Sequence, residues 1–300
     1  LFIITREESS DMSTASFPVP FQVDLTQKVA VVTGGAGVLG AAMCKALAAC
    51  GAKIAIIGRD QAKADHLAGE IKAAGGIAQG FSCNVLDREM LEQTAVKIAE
   101  SLGPCDILIN GAGGNHPKGV TDQEYFDPET VNNPESGSSF FDLNMEGFKF
   151  VFDLNLMGTL LPSQVFARQM IGRPGCSIIN ISSMSAFRPL TKVAAYSGAK
   201  AAVSNFTQWL AVHLGQSGIR VNALAPGFFI TEQNHKLMLE ADGSFTPRAQ
   251  KVIAQTPMRR FGDAEELIGA LLWLSESRAS GFVTGSIIAV DGGFSAYSGV

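Results

Sequence analysis

Two residues frame the chemistry this chain can do: Tyr196 and Lys200, four apart in Tyr196-Ser197-Gly198-Ala199-Lys200. At the start of a predicted helix, that spacing puts a phenol and an ammonium on one face. A free phenol ionises near pH 10, too high for acid–base work at neutral pH, and an adjacent cation favours the phenolate. Thirteen residues upstream, Ser183 ends the apolar run Ile181-Ser182-Ser183, where its hydroxyl can hold the oxygen of a reacting molecule. Asn155, in Asp153-Leu154-Asn155, sits on the helical stretch before that run. A Tyr-x-x-x-Lys pair alone occurs by chance on many helices. Combined with a strand-end serine and the turn described next, it points to proton transfer at an oxygen.

That turn is rich in glycine. Val29–Thr33 runs straight into Gly34-Gly35-Ala36-Gly37-Val38-Leu39-Gly40, with a helix predicted from Leu39. Gly35, Gly37 and Gly40 spell G-x-G-x-x-G between a strand and a helix. Without side chains, such residues let the backbone turn tightly and approach a pyrophosphate at the helix N-terminus. The far end of a dinucleotide is expected at Gly58-Arg59-Asp60, at the close of the next strand. An acid there accepts from the ribose hydroxyls of NAD, whereas an arginine suits the extra phosphate of NADP. Gly58 stands where the acid is expected and Arg59 follows it, which leans toward NADP. The alternative makes Arg59 a solvated surface charge and Asp60 only the cap of the next helix.

These groups need a frame. From Lys28 onward, short apolar runs alternate with amphipathic stretches. Val29–Thr33, Lys53–Ile57, Ile77–Ser82, Asp106–Asn110, Ser177–Ser182, Arg220–Leu224 and Ser286–Val290 are predicted as buried strands. Helices are predicted over Leu39–Ala49, Gln61–Ala74, Arg88–Ser101, Phe148–Met170, Tyr196–Gly215 and Ala264–Ser275. The alternation predicts an α/β fold: a doubly wound, parallel, seven-stranded sheet with helices on both faces. One nucleotide-binding domain is expected over residues 22–300, preceded by an extension over 1–21. Met12 is a candidate initiator, with Leu1–Asp11 an added segment. A polar insertion at about 113–147 and a second connection, Ala225 to Gly262, leave strand carboxyl ends, where ligands bind in such sheets.

Composition narrows the partners. The 300 residues carry a net charge of −5 with no long basic run, so nucleic acid is not expected. Hydrophobic residues make up 46% and charged ones 17%, which excludes a disordered chain. Cys44, Cys50, Cys83, Cys105 and Cys176 are scattered and odd in number, as in a reducing, cytoplasmic setting. The four histidines show no metal-ligand spacing, so no metal is expected. No run of about 18 apolar residues occurs, so no membrane span is expected.

The chain resembles the short-chain dehydrogenase/reductase family over Lys28 to Val300. The match rests on Thr33–Gly40, Asn110-Gly111-Ala112-Gly113, Asn155, Ser183, Tyr196 with Lys200, Asn222 to Gly227, and Val290-Asp291-Gly292-Gly293. The resemblance implies an Asn–Ser–Tyr–Lys tetrad, with Tyr196 as proton donor and Lys200 holding the nicotinamide ribose while depressing the tyrosine pKa. Ser183 would orient the carbonyl and Asn155 would order a water. Pro226, Gly227 and Thr231 would line the nicotinamide and phosphates. Asn84 with Val85, and Asn110, Ala112 and Gly113, would complete the cofactor site. Three positions depart from the family pattern: Val38 replaces a glycine, Asn84 an aspartate, and Gly111 an asparagine.

Within the family, Gly114–Lys118, the insertion, Ala225–Asn234 and Val290–Val300 resemble the D-mannonate oxidoreductase (fructuronate reductase) branch. That branch implies a sugar-acid substrate whose carboxylate needs a cationic or multi-donor partner. Arg188 is the first candidate, with Asn115, His116, Lys118, Lys192 and Asn234 behind it, each alternatively a solvated loop residue. The branch suggests NAD, against the NADP lean from Arg59. A gluconate or polyol dehydrogenase, a 3-oxoacyl-thioester reductase and a catalytically silent cofactor-binding protein are the competing readings. The family implies a homotetramer.

Overall fold

The computed structural model describes residues 22–130, 135, 137–230 and 238–299. Expectations for 1–21, Thr231 and Asn234 therefore lie outside the described residues. Seven strands form one parallel sheet: β1 (Val29–Thr33), β2 (Lys53–Gly58), β3 (Ile77–Ser82), β4 (Ile107–Asn110), β5 (Ser177–Ile181), β6 (Arg220–Pro226) and β7 (Ile287–Val290). Their order across the sheet is β3-β2-β1-β4-β5-β6-β7. The chain reverses its direction of travel between β1 and β4, which opens a crevice at their carboxyl ends.

Side chains alternate between the two faces, and each face has its own apolar layer. Val31, Leu108, Ile178 and Val221 pack with Leu91, Ile98, Phe166, Met170 and Leu210. Those partners come from helices α3 (Arg88–Ser101), α5 (Gly158–Met170) and α6 (Ala194–Leu214). Val32, Ile54, Ile109 and Ile179 pack on the other side with Met43, Leu47, Leu67, Ile71, Leu271 and Leu274. These belong to α1 (Val38–Ala49), α2 (Gln61–Ala73) and α8 (Ile268–Ser275). Burial is complete in the middle strands and incomplete at the edges. β3 alternates between buried and exposed, and β7 is half-buried, because an edge strand has a neighbour on one side only.

The stretch predicted as one helix over Phe148–Met170 starts earlier and is interrupted. Helix α4 (Met145–Phe152) widens into a π-helical turn at Asp153–Met157 before α5 begins. Asn155 causes the change locally, its Nδ2 donating to the Val151 carbonyl at 2.7 Å, so a side chain enters the helical ladder. By length and composition Met145–Met170 is apolar enough to cross a bilayer, although Glu146, Lys149, Asp153 and Arg168 break its apolar run. Val151, Asn155, Phe166 and Met170 bury its inner face in the protein core.

The second long connection holds a helix that the apolar pattern does not show, α7 (Pro247–Gln255). Thr246 caps it by accepting from Ala249 N, and Pro247 occupies its first turn. The insertion is pinched by Asp122, whose Oδ2 accepts from the Ser138 N–H at 2.8 Å and its hydroxyl at 2.9 Å. It is tied to the segment before α6 by Thr121 N donating to Lys192 O, and to α7 by the 2.8 Å Lys251–Glu124 ion pair. Insertion and second connection thus meet on either side of the approach to α6.

Candidate active site

The glycine turn is built from close backbone approaches. Gly34 has φ +67°, and a Cβ there would lie 2.9 Å from the Ala112 nitrogen and the Gly111 oxygen. A Cβ on Gly40 would lie 2.3 Å from the Gly34 oxygen, so the first turn of α1 folds directly against the loop. Thr33 Oγ1 ties β1 to the next loop, accepting from the backbone N–H groups of Gly111 and Ala112 at 3.1 and 3.2 Å. Gly37 caps α1 with no side chain, leaving the first-turn N–H groups directed outward. Val38, in place of the family glycine, is the first helical residue and is partly exposed, so it does not block this end. The turn therefore fits a pyrophosphate.

At the far end of the crevice, β2 and β3 end side by side, with Cys83 N donating to Gly58 O at 2.9 Å. Arg59 is exposed, and its guanidinium makes no hydrogen bond or ion pair among the described residues. Asp60 is engaged differently from a ribose ligand: its Oδ1 caps α2 by accepting from Lys63 N at 3.1 Å. Asn84 closes its own turn by accepting from Leu86 N at 3.2 Å, and Val85 is buried at Gly158. Asn110, expected at the cofactor, instead turns its amide into the layer under the sheet, donating to Ser163 and Asn180. Leu39 is half-buried in the first turn of α1, and Pro226 and Gly227 end β6 beside β7, with Gly227 N donating to Val290 O at 2.9 Å.

The proton-transfer residues do converge. Tyr196 and Lys200 occupy successive turns of α6, with Lys200 Nζ 5.6 Å from the phenol ring centroid. Ser183 follows β5, its hydroxyl accepting from Ser185 N at 3.2 Å and lying close enough to the Tyr196 phenol to favour its ionisation. Lys200 is buried and donates to the Ile181 carbonyl at 2.7 Å. Asn155 Nδ2 also donates to Gly114 O at 2.7 Å, and its Oδ1 accepts from Gly114 N at 3.2 Å. A Cβ on Gly113 would lie 2.7 Å from Asn155 Oδ1 and 3.2 Å from Lys200 Nζ, so the loop after β4 passes between them.

The electrostatics depart from the sequence expectation. Burial pushes the Tyr196 phenol above its ordinary value, and the nearby Ser183 hydroxyl offsets only part of that. Burial also lowers Lys200 to about 8. The lysine alone does not hold Tyr196 in the working range, because desolvation penalises both charged forms.

The candidate substrate residues divide. Arg188 lies at an open cavity of about 410 Å³ with Phe187, Ala289, Ser295 and Ala296. Its Nε donates to Ser295 O at 3.2 Å, and its two terminal nitrogens make no hydrogen bond among the described residues. Asn115 carries a buried Oδ1 with no hydrogen-bond partner among the described residues. His116 is committed locally, its Nδ1 accepting from Lys118 N at 3.1 Å and its ring lying 5.0 Å from that of Phe150. Lys118 is exposed, and Lys192 holds the insertion through its carbonyl. The role of Ser295 was not visible in the sequence, since its contact spans more than a hundred residues.

Comparison with known proteins gives a consistent picture. The family model for short chain dehydrogenases matches residues 28–242. An uncharacterized oxidoreductase of Bacillus subtilis, UxuB, is 51% identical over 94% of this chain and 100% of its own length. A Haemophilus influenzae protein provisionally designated a D-mannonate oxidoreductase, solved with bound NAD, superposes with a TM-score of 0.88 at 51% identity, covering 92% of this chain and 98% of that one. A gluconate 5-dehydrogenase from Burkholderia cenocepacia, in complex with NADP and tartrate, has a TM-score of 0.76 at 29% identity, covering 92% and 98%. The chain belongs to the short-chain dehydrogenase/reductase family and is an NAD(P)-dependent oxidoreductase.

Proposed function

We propose that this oxidoreductase interconverts a keto group and a secondary alcohol on a sugar acid, D-fructuronate and D-mannonate being the favoured pair. The observation that carries the reading is that Asn155 and Lys200 meet at Gly113, with Tyr196 beside Lys200 and Ser183 beside Tyr196, next to a turn suited to a pyrophosphate. The nicotinamide, when bound, supplies the hydride for reduction and accepts it in oxidation. Ser183 Oγ and the Tyr196 hydroxyl hold the substrate oxygen, and Tyr196 donates its proton as the carbonyl becomes an alcohol. Its raised pKa keeps the proton in place until transfer, and the Lys200 ammonium stabilises the phenolate left behind. Asn155 orders a water in the path that returns the proton, while its side chain holds Gly114.

A sugar acid brings a carboxylate, and Arg188 supports its recognition. Ser295 orients the guanidinium through Nε, leaving both terminal nitrogens as a fork at the cavity. Asn115 Oδ1, which has no partner among the described residues, suits a sugar hydroxyl. The Burkholderia relative, with tartrate, also holds a hydroxy acid. NADP is the cofactor favoured by the free guanidinium of Arg59 and by Asp60 being engaged in its cap. NAD is the second reading, favoured by the NAD in the Haemophilus structure. A cytoplasmic homotetramer completes the proposal, with small-molecule substrates rather than nucleic acid or membrane as partners.

The test is a steady-state screen of D-fructuronate, D-tagaturonate, 5-keto-D-gluconate and an acetoacetyl thioester, each with NADPH and NADH. Preferred turnover of a hexuronate is expected; preference for 5-ketogluconate or the thioester moves the enzyme to a competing reading. Tyr196→Phe should abolish turnover while cofactor titration by fluorescence remains normal. Turnover retained in that variant rejects Tyr196 as the donor.

A further inference from the structure

A buried line of side-chain hydrogen bonds joins the two helices that carry the site, and the chemistry above does not use it. Its centre is Asn110 and Asn180, register partners on β4 and β5. Asn110 Nδ2 donates to Asn180 Oδ1 and to Ser163 Oγ, each at 2.9 Å. Asn180 Nδ2 donates in turn to Thr207 Oγ1, also at 2.9 Å. The hydroxyls end on helix carbonyls. Ser163 donates to Thr159 O at 2.7 Å, Thr159 to Asn155 O at 2.8 Å, and Thr207 to Val203 O at 2.8 Å.

A hydroxyl has one hydrogen, and here each spends it on its own helix, so Ser163 and Thr207 can only accept from the asparagines. That leaves one orientation for both amides. One end of the line is the backbone carbonyl of Asn155, and the other is that of Val203, three residues beyond Lys200. Its members are buried in a layer otherwise made by Phe166, Leu210 and Ala211. Apolar packing is non-directional and tolerates a small slide of helix over sheet. Hydrogen bonds with a single donor arrangement in a low-dielectric layer do not.

We propose that Asn110, Asn180, Ser163 and Thr207 are positioning residues that hold the Asn155 turn and the Tyr196–Lys200 face of α6 in register across two strands. The proposal rests on the reading of Tyr196 as proton donor. A slip of α6 alone would move Lys200 off the Ile181 carbonyl and Tyr196 off Ser183.

Thr207→Val keeps the shape and removes the acceptor, whereas Thr207→Ser keeps the acceptor. The readout is the ionisation midpoint of Tyr196 in the cofactor-loaded protein. It is taken as the ultraviolet difference between each variant and the same variant carrying Tyr196→Phe, with kcat and KM measured alongside. Thr207→Val should raise the midpoint by about half a pH unit. It should lower kcat about tenfold while cofactor KM stays within about twofold, and Thr207→Ser should restore both. Ser163→Ala, on the other arm, should repeat the kcat loss and decides the question if Thr207→Val does not fold. An unchanged midpoint and kcat, or a serine variant as impaired as the valine one, overturns the proposal. If the wild type turns over no sugar acid while the midpoint still follows Thr207, the substrate reading fails and the positioning role stands.

Discussion

Lys200 sits in surroundings that oppose its charge, and this has a measurable consequence. Its folded value of about 8 lies below the 10.5 of an ordinary lysine. Between those values the unfolded chain keeps a proton that the folded chain has released, so stability from this group rises with pH through that window. Lys200→Met removes the slope. From about pH 7 to about pH 9.5, the wild type should gain about 2 kcal/mol on the variant in urea unfolding. A gap that stays constant with pH would mean that Lys200 is not desolvated. Arg188 makes a second prediction at this scale. Arg188→Ala should raise KM for a hexuronate about a hundredfold and leave a neutral ketose within about threefold. Equal losses on both substrates would make Arg188 a support for the C-terminal segment through Ser295. The tetrad was legible because its members have distinctive types and spacing. The upward shift of Tyr196 was not, because desolvation depends on what tertiary packing lays over the ring.

Among the elements, the turn from β2 to α2 separates capping from recognition. Asp60 is drawn into the helix cap by Lys63 N, which leaves Arg59 as the charge at the crevice end. On the proposed NADP reading, Arg59→Asp should reverse the NADPH/NADH ratio of kcat/KM by about tenfold or more, since it would exchange a phosphate partner for a ribose one. An unchanged ratio places cofactor choice elsewhere. The strands were readable to within a residue or so, being short β-branched runs that must be buried. The π-helical turn at Asp153–Met157 was not, because it follows from one amide reaching Val151 O. Helix α7 was missed for a different reason: its nine residues are mostly polar outward, although Thr246-Pro247 is a helix-start signal that was available.

At the scale of the whole molecule, α6 presents one face to the site and leaves another uncovered. Trp209 and Val212 are 57% and 83% exposed, and Trp209 stacks on His213 at 4.9 Å. In the proposed homotetramer this exposed apolar face of α6 would be the surface for a second copy of the chain. Trp209→Asp should lower the mass measured by light scattering to that of a smaller assembly while the monomer fold, read by circular dichroism, persists. A mass unchanged from the wild type would exclude this face. The insertion and the connection after β6 belong to the same scale, since the Lys251–Glu124 pair joins segments 127 residues apart.

By itself, the sequence determined the sheet, the glycine turn and the family, and it named four candidate proton-transfer residues, because each depends on local spacing, periodicity or residue type. Only the tertiary structure decided that Asn110 faces inward and that Ser295 orients Arg188. It also decided that burial raises Tyr196 and lowers Lys200. Those outcomes depend on which distant groups share a hydrogen bond or exclude water, and neither is encoded at any fixed distance along the chain.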